Sequence, residues 1–133
     1  MPLPDPITLT PIGIMHCGLE SREDTPKNFD ISTETGTLEI FPEYQEAMGE
    51  IEPGQTLVVL FWLHEARRDM LKVYPRGDRS HGLHGVFSTR SPVRPNPVAI
   101  SELEVIKIED NNIKVLGVDV YNNTPILDIK KKL

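Results

Sequence analysis

Proline interrupts this chain too often for it to be built from long helices. Twelve of its 133 residues are proline, about 9%, against a usual share of roughly 5%. A proline inside a helix removes a hydrogen bond and clashes with the preceding turn, at about 3 kcal/mol. A helical bundle is therefore excluded, and short strands joined by turns are expected. Apolar residues make up 38% of the chain and charged residues 26%, with a mean hydropathy of −0.27. That is enough to bury a core and too apolar for a disordered chain, and the length suits one compact domain over residues 1–133. No apolar run approaches the roughly 20 residues of a membrane span. Met1-Pro2-Leu3-Pro4-Asp5-Pro6 has neither the basic nor the apolar region of a signal peptide, so a cytoplasmic location is expected. A lone cysteine, Cys17, rules out an internal disulfide and a cysteine-based zinc site.

The coarse pattern is of strands and turns. Residues 12–15 and 36–41 read as short strands beside proline or glycine. Tyr44, Ala47, Met48 and Ile51 fall at helical spacing, which predicts one short helix over residues 44–51, and Glu52-Pro53-Gly54-Gln55 makes a turn. The most apolar run, residues 57–63, is short, β-branched and aromatic, as a strand covered on both faces would be. Residues 100–109 form a further strand, and Asp110-Asn111-Asn112 turns it into a hairpin partner over residues 113–121. Gly117 interrupts that partner at a bulge or a close backbone approach. Asn122-Asn123 turns the chain again before a strand at residues 126–129. Residues 64–73 carry no coherent apolar stripe and read as a charged excursion. The sum is a mainly β fold, a small closed or nearly closed β-barrel with short helical excursions.

Charge is segregated along the chain. The net charge is −6, yet residues 19–52 hold ten acidic and two basic side chains, while residues 64–94 hold seven basic and three acidic ones. The second stretch is either a solvated loop or an anion-facing surface. Overlapping its end is the segment Gly85 to Ser101, where three prolines in six positions, Pro92, Pro95 and Pro97, predict an extended, stiff strap displaying Arg90 and Arg94. A stiff segment loses little entropy when it binds, which suits ligand positioning. The same arginines would equally serve a barrel rim paired with the acidic half. In a second segment, Asp119 to Lys130, two acidic residues flank an amide-rich turn that would either cradle a polar ligand or only close a hairpin, and the hairpin is the more economical reading.

Gly85-Val86-Phe87-Ser88-Thr89-Arg90-Ser91-Pro92-Val93-Arg94-Pro95-Asn96-Pro97-Val98-Ala99-Ile100-Ser101 is similar to the G-V-F-A-T-R-S-P-x-R-P-N-P-I-G-L-S signature of the TrmO/TsaA-like (YaeB-like) proteins. Asp119 to Lys130 resembles their D-L-x-D-G-T-P-V-x-D-I-K signature, in the right order, and Ile12-Gly13-Ile14 and Leu63-His64 also fit. The resemblance runs from about Thr10 to Lys130. It implies a small β-barrel methyltransferase that uses S-adenosylmethionine and methylates the exocyclic nitrogen of threonylcarbamoyladenosine beside the tRNA anticodon. It also implies a homodimer with the cofactor near the subunit interface. The alternative within the same fold is an S-adenosylmethionine-binding protein that acts on another small substrate or as a non-catalytic sensor.

Carried over by position, the resemblance places cofactor contacts at Pro26-Lys27-Asn28, His64-Glu65, Arg90, Ile100 and Asn122-Asn123-Thr124-Pro125, and substrate contacts at Arg94 and Asn96. Lys27 and Asn28 stand where the family has arginine and glutamine, which loses a bidentate fork and a methylene. Asn122 replaces an aspartate, and Asn123 replaces a glycine whose left-handed conformation asparagine tolerates. Met15-His16-Cys17-Gly18 stands where the family has a serine-proline-aromatic-basic element. No general base is nominated; Asp119, Tyr121 and Asp128 are the nearest candidates. His64 and the pair His81-x-x-His84 read as loop histidines, so no metal is expected. Cys17, with no base beside it in sequence, reads as a buried structural thiol.

Overall fold

A computed structural model describes residues 5–20 and 32–133. In chain order the strands are β1 (Gly13–Cys17), β2 (Thr35–Ile40), β3 (Thr56–Trp62), β4 (Lys72–Val73), β5 (His84–Gly85), β6 (Val98–Glu109), β7 (Asn112–Leu116) and β8 (Pro125–Lys131). Six of them close into an antiparallel barrel in the order β1-β2-β7-β6-β3-β8, with β8 returning to β1. Closure leaves no free sheet edge in so small a barrel. β4 and β5 form a separate two-stranded ribbon.

Period-two alternation fills the interior. Met15, Leu38, Ile40, Leu57, Val59, Phe61, Leu103, Val105, Ile113, Val115 and Ile126 point inward and are buried together. Each is worth about 1.5–3 kcal/mol of transfer free energy. Two irregularities bend the sheet into its corners: Ile106 is the extra residue between the Val105–Val115 and Lys107–Lys114 pairs, and Leu127 between Asp128 and Ile126 opposite Leu60 and Phe61. At Gly13 the strands come so close that a Cβ would overlap the Glu39 carbonyl.

Three details differ from the sequence expectation. β3 is not covered equally on both faces: Leu57, Val59 and Phe61 are buried, whereas Val58, Leu60 and Trp62 are half-buried. The outer face of a closed barrel has only its loops for cover, and here the Arg68 guanidinium lies 5.1 Å above the Trp62 ring. The short helix is 3₁₀, spans Pro42–Met48 and buries none of its residues fully, although Tyr44 and Met48 pack against the core from its edge. The strand expected to reach residue 121 stops at Leu116, because Gly117 turns the chain at φ 105°. No helix among the described residues is long and apolar enough to cross a membrane.

Candidate functional site

The strand register gathers most of the predicted site at one rim of the barrel. The pairs Cys17–Gly36, Thr35–Leu116, Trp62–Val98 and Phe61–Ile126 bring the ends of β1, β3 and β7 together with the starts of β2, β6 and β8. His64 and Glu65 follow β3 at this rim, Ile100 lies near the start of β6, and Asn122-Asn123-Thr124-Pro125 leads into β8. Residues 117–121 cross the rim, and Val118 and Val120 are buried in the core beneath it.

The charged excursion leaves and re-enters at the same place, where the Leu63 amide donates to the Pro97 carbonyl at 2.8 Å. The strap is not extended; it runs through successive bends. Proline fixes φ but permits turns, and local side chains tie the bends. The Ser91 amide donates to Thr89 Oγ1 and the Val93 amide to Ser91 Oγ. Arg94 folds back on its own segment and donates to the carbonyls of Val86, Thr89 and Ser91 at 2.9, 3.3 and 2.9 Å. Arg68 donates to the Pro95 carbonyl at 2.7 Å and to Asn96 Oδ1 at 3.1 Å. Arg94 and Asn96, read from sequence as substrate contacts, thus hold the strap in shape.

Arg90 leads elsewhere. Its Nη2 donates to the Ile100 carbonyl at 3.1 Å. Ile100 turns its side chain outward, 42% exposed, while the next residue, Ser101, turns inward and is 1% exposed. The Ser101 hydroxyl donates to Asp119 Oδ1 at 2.7 Å. Burial pushes the Asp119 carboxyl above its usual range; the Ser101 hydrogen bond and the nearby Arg90 charge oppose that shift without cancelling it. Arg90, Ile100, Ser101 and Asp119 therefore form one polar cluster at the rim.

The amide-rich turn packs on β1. Asn122 Oδ1 accepts the Cys17 amide at 3.0 Å, the Asn123 amide donates to the Met15 carbonyl at 2.8 Å, and the Thr124 hydroxyl donates to the Tyr121 carbonyl at 2.7 Å. Asn123 has φ 69°, the left-handed conformation that a glycine would supply most readily. Cys17 is half-buried, and burial raises its thiol pKa, which leaves it a poor nucleophile.

Other sequence candidates lie apart. Pro26-Lys27-Asn28 falls outside the described residues. Asp128 faces outward on β8 beside Lys130, at 3.5 Å, and is not part of the cluster. His81 and His84 are exposed, and His84 Nε2 contacts the His81 carbonyl at 3.0 Å. Among the described residues no three His, Cys, Asp or Glu side chains converge as a metal site.

A family model described as the tRNA-methyltransferase O N-terminal domain matches residues 14–132. The chain belongs to this family. Relatives of this TrmO-type domain include an S-adenosyl-L-methionine-binding protein of Archaeoglobus fulgidus, 37% identical over 123 residues that cover 92% of this chain and 87% of that protein. A probable S-adenosyl-L-methionine-binding protein of Methanothermobacter thermautotrophicus is 39% identical over 124 residues, covering 93% and 88%. A crystal structure of TrmO from P. aeruginosa superposes with a TM-score of 0.78 at 26% identity over 98% of this chain. The chain spans 56% of that longer TrmO.

The sequence alone does not single out Ser101, and it offers Asp119 as a flank of the amide-rich turn or as a base, not as Ser101's partner. A signal was present: a serine at an inward strand position, between Ala99 and Leu103, needs a hydrogen-bond partner.

Proposed function

We propose that this protein is an S-adenosylmethionine-dependent methyltransferase that methylates the exocyclic nitrogen of threonylcarbamoyladenosine beside the tRNA anticodon. The observation that carries the reading is the TrmO-type family match over residues 14–132, on a barrel whose strap, crossing segment and amide-rich turn meet at one rim. The S-adenosylmethionine-binding names of the archaeal relatives support the cofactor.

The residues present suit such a cofactor. The rim offers polar groups for the cofactor's amino-acid end, and Ile100, with its side chain turned outward, offers an apolar surface against which adenine can lie. His64, Glu65 and Asn122-Asn123-Thr124-Pro125 complete the rim around them, and Pro26-Lys27-Asn28 is assigned to the same cofactor. When bound, the cofactor supplies a methyl group on a sulfonium. The chain's part is orientation: Arg94 and Arg68 hold the strap, and Thr124 and Asn123 hold the turn, so that nucleophile and methyl group meet in near-attack geometry. A carbamoylated amine gives up its proton more readily than adenine's own, which lessens the need for a strong base. The tRNA approaches over the basic excursion. We assign the protein to the cytoplasm and to a homodimer.

Mass spectrometry of tRNA nucleosides from cells with and without the protein tests the reading, together with methyl transfer from labelled cofactor to tRNA in vitro. Loss of methylated threonylcarbamoyladenosine on deletion is expected. An unchanged nucleoside profile and no transfer to tRNA would remove the tRNA assignment. Cofactor binding without turnover would favour the sensor reading, with which the relatives' names, which speak of binding alone, are also consistent.

A further inference from the structure

We propose that Asp119, held by Ser101 and set beside Arg90, receives the α-ammonium group of the cofactor's amino-acid end, while Arg90 receives the α-carboxylate on the same carbon. The proposal rests on the S-adenosylmethionine reading above and adds to it a specific receptor for the zwitterion.

Three observations carry it. First, Ser101 occupies an inward position among apolar neighbours, is 1% exposed, and aims its hydroxyl at Asp119 Oδ1 at 2.7 Å. A buried hydroxyl so placed fixes a carboxylate in one orientation. Second, Asp119 lies on the segment that crosses the rim and stays partly exposed, so a ligand at the rim reaches it without entering the barrel. Third, Arg90 comes from the strap, is anchored on the carbonyl of Ile100, the residue next to Ser101, and lies close enough to favour the Asp119 charge. One anion and one cation, tethered to the neighbouring residues Ser101 and Ile100 of β6, mirror the ammonium and carboxylate of an α-amino acid. A phosphate would be repelled by the carboxylate, and a neutral base would bring no charge opposite to either group.

Calorimetry on the full chain can separate the parts. S-Adenosylhomocysteine carries ammonium and carboxylate, decarboxylated S-adenosylmethionine keeps only the ammonium, and 5′-methylthioadenosine lacks both. Asp119→Asn is expected to weaken the first two ligands about 10–100-fold, as for loss of a charged hydrogen bond, and to leave methylthioadenosine unchanged. Arg90→Gln should weaken S-adenosylhomocysteine alone. Ser101→Ala should weaken the two ammonium ligands by a smaller factor. Unaltered S-adenosylhomocysteine affinity in Asp119→Asn overturns the proposal. So does an equal loss for methylthioadenosine, the mark of a structural role. A wild-type chain that binds none of the three at millimolar concentration would overturn the cofactor reading itself, a separate result. Thermal melting of each variant shows that it is folded.

Discussion

Two arginines four positions apart on one strap have different environments, and the difference lies in what each guanidinium meets. Arg94 is half-buried and spreads donors over two terminal nitrogens to reach three backbone carbonyls, Nη1 to Thr89 and Ser91 and Nη2 to Val86. Lysine has the charge without the fork, so Arg94→Lys should lower stability by about 1–3 kcal/mol. Urea unfolding would measure the loss, and limited proteolysis should show faster cleavage across residues 86–97. Asp119 makes the opposite kind of contribution. Burial raises its pKa, so the folded chain binds that proton more readily than the unfolded chain does. Stability from this group therefore falls as pH rises from the ordinary carboxylate value through the raised one. Asp119→Asn keeps an acceptor for Ser101 and removes the buried charge. It should raise stability at neutral pH by roughly 0.5–1 kcal/mol, and the gain should vanish at acid pH, where both side chains are neutral. Melting curves across that range would reveal an unwanted result at once: a gap that widens on acidification. A stabilising change that removes ligand affinity would mark Asp119 as held for function.

At the level of elements, the barrel was legible because its signals are local. Alternation, asparagine turns and a short apolar run place six strands within a few residues of where they lie, and the Asp110–Asn111 loop closes its hairpin with Asp110 at φ 54°. What was not legible depends on contacts far apart in the chain. The strap reads as extended because prolines speak for φ alone; its bends are tied locally by Thr89, Ser91 and Arg94 and clamped by Arg68, which reaches Asn96 from 28 positions away. The Ser101–Asp119 hydrogen bond likewise needs the rim to exist before the two residues can meet. Two sequence signatures of the site therefore fall on one rim, but the division of labour inside them had to come from the structure. Barrel closure itself makes a sharp prediction. Gly13 pairs with both β2 and β8, and its missing Cβ leaves room for the Glu39 carbonyl. Gly13→Ala should cost about 2–3 kcal/mol, since backbone cannot yield as a flexible side chain would. A midpoint in denaturant within error of wild type would show that the β1–β2 seam yields to admit a methyl group.

At the scale of the molecule, the basic excursion and the acidic 3₁₀ helix stand at opposite rims, while Glu20 and Glu34 stay near Cys17 at the rim of the excursion. The basic excursion, with Arg67, Arg68, Lys72, Arg76, Arg79, Arg90 and Arg94, emerges from the rim that bears the Arg90–Asp119 cluster. Glu43 and Glu46 belong to the 3₁₀ helix at the opposite rim, and Glu50 shares a groove there with Lys130, Lys131 and Lys132. Among the described residues, the densest run of exposed arginines thus lies on the side where the candidate site opens, and an anionic polymer is drawn there. Phe87 adds an apolar face there: it is 82% exposed, and an exposed aromatic ring among arginines suits a single-stranded loop, whose bases can stack on it. Lys72 and Arg79 are exposed members of this surface that neither hold the strap nor belong to the cluster; Arg79 lies 4.6 Å over the Tyr74 ring. Replacing both with glutamine should weaken tRNA binding and flatten its dependence on salt. Each cation in phosphate contact contributes roughly 0.7–0.9 to the slope of log affinity against log salt. Fluorescence anisotropy with labelled tRNA between about 50 and 200 mM salt would read that slope, and calorimetry with S-adenosylhomocysteine should give the wild-type affinity. If the double variant keeps the wild-type slope, tRNA does not dock on the ribbon. If it loses cofactor affinity as well, the ribbon and the rim act as one surface and not as separate sites for tRNA and cofactor.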